Sequence, residues 1–600
     1  MATSPRTVSR RTVLSWMAGA GGLGVLAACA PPAPAPAKPA DAPAAKAATA
    51  APTAPVAAQV SAPTPPASGP TAQAAPAAPA AKPTEAAKPA VQAAPAPAAK
   101  PAAQIKRGGT IRLHRQNDWP SLDPHTAQAS NIDMPLVYDY LTTVVRDPAT
   151  DTWDVKPSLA ESWDISDPTT VVFKLRRGVK FHDGTDFDAE AVKWNLTRMM
   201  THPKSSAKNQ TGTIDAVEVV DAHTVRLKLK APSPSLFVNL SSDSSNVAGM
   251  ISPTWAQRVG DEVVAREAVG TGPFRFVDYQ PSNQVTYKRF EGYWRQGADG
   301  QPLPYPDEAV VKYNQDWNVA LVQLRSGELD LVWGFAGRDV PTIQSNPSLQ
   351  YMPAPWAATM YQLCFNAKPG ARLGGDAMKK VRQAINHAVD REAIAKALGA
   401  GIGEPNYYYL VPGHVGYSDK VARYEYNVEK AKQLLAEAGY ASGLEVTMDF
   451  ISRPEDTQNA QLYQQMLAQV GIKANLQPSE RIAWVQKTLS GDYEFGTFQS
   501  PVRPEPDFLL SNILAENAPA NYMNWTDGEV QRLLREARTT YDVSRRQDFY
   551  EQAQNRIAEE AYVGFVWRRS GALAASKALQ NVAPGWTTFI SNSTEMWLDR

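Results

Sequence analysis

From Ala30 to about Gln104 the chain is almost entirely alanine and proline with a few Lys, Thr and Gln, and it contains no aromatic residue. Such a stretch has too little apolar bulk to offset the entropy of ordering its backbone, so it is expected to stay disordered and partly extended as polyproline II. At about 3.1 Å per residue it reaches roughly 230 Å fully extended, whereas a flexible coil of that length averages nearer 50 Å. Its expected job is that of a tether. All folding then falls on the remainder, about Ile105 to Arg600, which exceeds what one hydrophobic core accommodates and predicts two or more lobes.

Ahead of the tract, Arg6, Arg10 and Arg11 precede an uncharged run from Thr12 to Ala28 rich in small apolar residues, the anatomy of a secretory signal. The run is shorter than the roughly 20 residues a bilayer needs and is interrupted by glycines, so cleavage is expected. Ser9-Arg10-Arg11-Thr12-Val13-Leu14 resembles a twin-arginine signal, an address for proteins exported already folded, with ordinary Sec export as the alternative. Leu26-Ala27-Ala28-Cys29 resembles a bacterial lipobox, in which the Cys29 thiol is acylated and becomes the new N-terminus. Acyl chains contribute about 0.8 kcal/mol per buried methylene, so a cysteine bearing two or more chains holds firmly to a membrane. The alternative is a soluble secreted protein in which Cys29 is incidental. On the first reading, 1–28 is the signal peptide and 29–104 the lipidated cysteine with its tether, and the protein sits on the outer face of the cytoplasmic membrane.

The 60 basic and 60 acidic side chains cancel. No Lys/Arg block interleaved with aromatics follows the tether, so nothing points to nucleic acid. Once Cys29 is acylated only Cys364 remains, which excludes a disulfide framework and a cysteine zinc site. The sequence has no Gly-x-Ser-x-Gly elbow, no His-Glu-x-x-His and no phosphate-cradling Gly-Lys-Ser/Thr. Its one Gly-x-Gly-x-x-Gly match, Gly19, Gly21 and Gly24, lies inside the signal and follows no strand. His182 beside Asp183 has no second histidine at ligand spacing and is read as fixing a loop, and His387 near Asp390 is likewise read as structural. No catalytic residue, metal or cofactor is expected.

Hydrophobic periods alternate between two and three-to-four along the chain, the signature of mixed α/β structure. Thr110–Leu113, Val171–Leu175, Thr224–Lys230 and Val285–Phe290 read as strands. Asp188 is placed to N-cap a helix whose Val192, Leu196 and Met199 share a face, and Val381, Ile385, Val389 and Ala393 form a comparable stripe. Asn427 opens a helix carrying Ala431, Leu434, Leu435 and Ala438, with Gly439 at its left-handed C-cap. A strand from Leu444 to Phe450 follows. A helix with Leu462, Met466 and Val470 then stops at Gly471 before the strand Ile472–Leu476.

The order of these phrases resembles the family 5 solute-binding proteins of ABC importers, the dipeptide, oligopeptide and nickel type, from about Lys106 to the C-terminus. Its pieces are Arg107-Gly108-Gly109-Thr110, Pro157 to Trp163, and Phe173 through Leu175, Arg176, Gly178, Val179, Phe181, His182, Asp183, Gly184 and Asp188 to Val192. They continue with Gly270 to Phe274, Leu324 to Asp330, Val381 to Ile385, Asp390-Arg391-Glu392 and Ala431 to Gly439. The resemblance implies an α/β, periplasmic-binding-protein-like class II fold: two lobes with mixed sheets joined by a hinge, plus an extra domain. It divides the chain into lobe I (105–147, 268–360 and 569–600), the extra domain (148–267) and lobe II (361–568). It also implies a monomer that closes on a peptide-like or oligosaccharide solute, unaltered, and delivers it to a permease and ATPase.

By the same resemblance, the loop holding Asn117 and Trp119, the segment holding Trp333 and Phe335, and Tyr361 near a crossover are candidates to face the ligand. The family's peptide binders carry a tryptophan and an aspartate shortly before a Glu/Asp-Pro pair, the aspartate receiving the peptide's α-ammonium. Here the pair is Glu505-Pro506. The tryptophan position holds Gln499, and the aspartate position holds Val502 beside Arg503. An ammonium entering unpaired costs about 1–3 kcal/mol. The expected ligand is therefore an oligosaccharide, a capped or modified peptide, or an anionic solute met by Arg503, unless Asp507 or Glu505 replaces the missing acid. A secreted hydrolase with an unfamiliar site, and a signalling or structural lipoprotein, are the alternatives from other classes.

Overall fold

The alternation of strands and helices becomes, in the computed structural model, an eleven-stranded mixed sheet with three smaller sheets beside it among the described residues. Those residues are 105–600 apart from 117, 119–120, 128–132, 148–151, 243–246, 516–517, 519 and 586–592. They belong to the second of the two units into which the chain's contacts divide, Ala98–Arg600. Arg10, Arg11, Cys29, Asn117 and Trp119 lie outside the described residues.

In chain order, β1 (Thr110–Arg115) starts lobe I, and the hairpin β2 (Thr142–Asp147) and β3 (Thr152–Pro157) leads into an extra unit. That unit is an antiparallel sheet of β4 (Ala160–Asp167), β5 (Thr170–Leu175), β6 (Ile214–Asp221) and β7 (Thr224–Leu229) in the order β4-β5-β7-β6. Lobe I resumes with β8 (Phe274–Gln280), β9 (Gln284–Arg289), β10 (Glu308–Tyr313) and β11 (Leu331–Trp333). β12 (Leu349–Phe365) crosses into lobe II, which holds β13 (Gly403–Pro405), β14 (Leu444–Ile451), β15 (Ile472–Ser479) and β16 (Phe495–Pro501). β17 (Val563–Ser576) crosses back.

β12 and β17 pair antiparallel from Leu349 opposite Ser576, in lobe I, to Cys364 opposite Val563, in lobe II. Their register shifts between Ala354 and Thr359, where one lobe's part of the sheet gives way to the other's. Separate cores stand on either side. One gathers Ile111, Leu113, Phe274, Val311 and Leu331 with Leu573 and Leu598; another gathers Leu363, Ile385, Val446, Tyr463, Phe495 and Val566. The extra unit has its own, around Phe173, Phe181, Val192, Leu196 and Leu227.

Local signals account for much of this. The Asp188 carboxylate accepts from the Ala191 N–H at 2.9 Å and Asn427 accepts from Lys430 N–H at 2.8 Å, each satisfying an otherwise orphaned helix donor. Gly439 ends its helix at φ +89°, where a side chain would be strained. His182 receives the Gly270 N–H, and its Nε2 lies 2.8 Å from the Gly272 carbonyl, so it fixes a loop as read.

Two helical stripes differ from expectation. The stripe from Val381 to Ala393 is two helices, Lys379–Ala388 and Arg391–Gly399, because Val389 turns extended and Asp390 caps anew, leaving Ala393 exposed. In Pro454–Ala468 the buried face is Asn459, Ala460, Tyr463 and Leu467, one position round from Leu462 and Met466, because Asn459 receives the Trp567 indole N–H. Among the described residues no helix is long and apolar enough to cross a membrane.

Candidate functional site

Register fixes where a ligand would sit. β1 runs parallel to β10 and β11, and β14 runs parallel to β15 and β16. The carboxyl end of β11 reaches β17 with Trp333 opposite Leu573, toward the crossing, and the carboxyl end of β16 meets β12 there, with Pro501 opposite Thr359. Both lobes thus turn the carboxyl edges of parallel strands to the same stretch of backbone. Ligands of open α/β sheets bind outside such edges.

The lobe I edge is aromatic. Trp333 is half-buried, its indole N–H donates to the His114 carbonyl at 3.2 Å, and its ring meets Trp317 edge-on with centroids 5.7 Å apart. Trp317 opens the helix Trp317–Ser326 behind an Asp316 cap and also contacts His114 edge-on at 5.3 Å. Gly334 lets this happen: it sits at φ +80°, and a Cβ there would lie 2.3 Å from the Trp317 ring. Burial lowers the His114 pKa, so the imidazole is neutral beside the Asn314 carbonyl. Phe335 turns away, 3% exposed, with its ring against Tyr351 in a core behind the edge.

The lobe II edge is charged. Tyr361 on β12 and its partner Trp567 on β17 stack at 4.1 Å between centroids and 5° between planes. The Tyr361 hydroxyl donates to Glu455 at 2.5 Å, and Glu455 also takes Arg569 at 2.9 Å. Beside them Arg453 donates to Asp456 at 2.5 Å, and Gln499 donates to the other Asp456 oxygen at 2.7 Å. Burial pushes the Asp456 carboxyl upward against the opposing pull of Arg453. The side chains of Arg453 and Arg569 remain 43% and 41% exposed. A half-exposed pair such as Arg569–Glu455 contributes about 0.2–1 kcal/mol, less than the roughly 1.5–3 kcal/mol of a hydrogen bond to a charged ligand group. A carboxylate ligand can therefore compete for Arg569, while Arg453 stays on buried Asp456 and meets a ligand only with its exposed surface.

The residues around the Glu-Pro pair are already engaged. Val502 is buried in the lobe II core, with its N–H on the Ala358 carbonyl at 2.8 Å. The Arg503 carbonyl accepts from His414, and burial lowers the Arg503 pKa. Glu505 forms a buried ion pair with Arg546 at 2.6 Å, and Asp507 pairs with Arg538 at 3.0 Å and accepts from Ser511 at 2.6 Å. Of the expected site residues, then, Tyr361 and Gln499 share the Glu455–Asp456 corner, and Trp333 stands on the opposite edge. Phe335 is core, and Asp507 is tied into a helix junction by its arginine. Arg453, Glu455, Arg569 and Trp317 were missed. A flag for Arg453 and Glu455 was available, because they follow directly on a predicted strand.

Among the described residues no set of three His, Cys, Asp or Glu is placed to hold a metal. Burial drives His414 down to about 4 and the Cys364 thiol up to about 12, leaving a neutral imidazole and an inert thiol. A cavity of about 1030 Å³ lined by Lys379, Asp527, Arg556 and Glu560 lies at the amino-terminal edge of the same lobe II strands, with those charges paired among themselves.

Comparison with known proteins bears on the family and the fold that carries these edges. The sequence pattern of "Bacterial extracellular solute-binding proteins, family 5 Middle" matches residues 154–521. The glutathione-binding protein GsiB of Escherichia coli (strain K12) is 32% identical over 422 residues, covering 68% of this chain and 79% of that protein. Among solved structures, the binding protein AgaA from A. tumefaciens R10, in complex with agropinic acid, is 28% identical with a TM-score of 0.65, covering 82% of this chain and 99% of that one. HbpA2 from Haemophilus parasuis shares the fold at a TM-score of 0.72 and 24% identity, over 82% of this chain and 100% of its own.

Proposed function

Because the chain belongs to the bacterial extracellular solute-binding proteins of family 5, the binding components of ABC importers, we propose that it captures a carboxylate-bearing, peptide-like solute and delivers it unaltered to a permease. Glutathione, bound by GsiB, and agropinic acid, bound by AgaA, exemplify the class. The observation that carries this reading is the charge arrangement of lobe II. Val502 stands buried where an ammonium-binding aspartate is expected, Glu505 and Asp507 are committed to Arg546 and Arg538, and the side chains of Arg453 and Arg569 remain partly exposed. A solute offering carboxylates meets these arginines there, and Val502 leaves a plain free N-terminus without the aspartate that receives it in the family's peptide binders.

On this reading 361–568 moves as lobe II against 105–147, 268–360 and 569–600, hinged on β12 and β17, while 148–267 forms the extra domain. Ligand favours the closed form only by its differential affinity for it. Cys29 is taken as the acylated residue, Arg10 and Arg11 as the export signal, and the mature protein as a monomer on the outer face of the membrane. The Trp317–Trp333 edge supports a second reading, an oligosaccharide stacked on the rings.

Titration calorimetry of the protein with glutathione, agropinic acid, free di- and tripeptides and a neutral oligosaccharide separates these. Micromolar binding of the first two, with little heat from plain peptides, is expected. Tight binding of unmodified peptides, or consumption of any of these compounds, would retire the proposal.

A further inference from the structure

The extra unit reaches lobe II at one place, and the hairpin that leads into it grips the crossing strand at another. Tyr541 lies in the turn between the lobe II helices Gly528–Thr539 and Val543–Glu560, yet its ring packs on the extra unit's core. Its hydroxyl donates to the Pro168 carbonyl at 3.2 Å, in the turn between β4 and β5, and accepts from the Ser233 N–H at 3.3 Å. The second place is the crossing itself. Trp356 occupies the register shift of β12, and Arg146 stacks on its ring at 4.2 Å while Trp153 meets it edge-on at 5.6 Å. Arg146 and Trp153 are direct cross-strand partners on the β2–β3 hairpin, so they hold Trp356 as one pincer. The indole N–H of Trp356 is satisfied elsewhere, by the Gly585 carbonyl at 3.1 Å, which leaves ring contact as the grip.

We propose that the extra unit governs lobe movement, with Tyr541 and Trp356 as positioning residues that hold lobe II in its present arrangement and thereby set ligand residence time. Hinge rotation about the Ala354–Thr359 shift must turn Trp356 relative to the hairpin and draw Tyr541 from its socket, so both contacts resist opening. Tyr541 lies away from the strand edges assigned to the ligand, and the Trp356 ring is covered by the hairpin, 8% exposed. The proposal rests on the reading of the lobes as a ligand-closed receptor, and its test includes a readout without ligand.

Spin labels are placed on Val319→Cys in lobe I and Ile482→Cys in lobe II, 44% and 75% exposed, in full-length protein carrying Cys29→Ser. Buried Cys364 stays unlabelled. Pulsed electron resonance on ligand-free protein should give a longer and broader interlobe distance for Tyr541→Ala and Arg146→Gln than for wild type, with Tyr541→Phe between. Glutathione should dissociate about tenfold faster from Tyr541→Ala, within the usual range for coupling between remote sites. Folded variants with wild-type distance distributions would overturn the proposal whether or not glutathione binds. Altered distances with no glutathione binding to any form would support it and point instead to a different solute.

Discussion

The two edges that meet at the crossing strands are built from different materials. Lobe I offers two tryptophan rings braced by a glycine, and lobe II offers two arginines braced by carboxylates. Rings supply contact area that tolerates many ligand shapes, whereas guanidinium groups demand a partner of matching charge. On the proposed reading, the contrast assigns discrimination between solutes to lobe II and generic adhesion to lobe I.

Lobe II also holds a buried ion pair, Glu505–Arg546, and removing one partner should do the greatest damage. Arg546→Ala strands Glu505 in the core and is expected to cost about 3–5 kcal/mol of stability, read by chemical denaturation. Equal stability in Arg546→Ala and wild type would mean that this pair does not hold lobe II together.

Acid should weaken the molecule next. Burial lowers His125, His182 and His414 to about 4, so the folded form binds fewer protons than the unfolded chain between pH 6.5 and 4. Stability is thus lost as pH falls through that window, by about 2 kcal/mol per histidine between pH 6.5 and 5. Asp139, pushed up to about 6 by burial, acts in reverse and returns about 1 kcal/mol between pH 6 and 5. His414→Gln, the one of the three in lobe II, should remove about a third of the histidine effect when denaturation midpoints at pH 7 and pH 5 are compared.

Smaller effects separate the edges directly. Arg453→Ala should weaken glutathione binding by about tenfold or more while leaving a neutral oligosaccharide unaffected, since it removes a charge-assisted contact. Trp333→Ala should weaken every solute by a similar, smaller factor, about threefold to tenfold for one lost ring contact. If the tryptophan variant discriminates and the arginine variant does not, the assignment of roles is reversed.

What the sequence disclosed was mostly local. Asp188, Asn427 and Gly439 were readable because a cap and its helix lie within a few residues of each other, and Val502 stood out because it breaks a short register. The split at Val389 was harder, since the apolar spacing runs on through a backbone break marked only by Asp390. In Pro454–Ala468 the buried face is set by Asn459 meeting Trp567, a partner more than a hundred positions away. Tyr541 and Trp356 carried no signal for the same reason, as periodicity is silent about contacts between elements far apart in the chain. Phe335 and Trp333 looked equivalent because residues two apart share one face of an extended strand, whereas β11 ends at Trp333 and Gly334 turns the backbone at φ +80° before Phe335.

The place of β17 has a consequence for how the molecule is made. It lies between β12 and β11, so the lobe that begins the chain is completed by one of the last strands to be synthesised. A nascent chain keeps the flank of β11 uncovered until residues 573–575 have emerged, after the whole of lobe II has been made. Deleting the chain from Ser570 onward should therefore unravel lobe I, near the beginning of the sequence, and spare the strands immediately upstream of the cut.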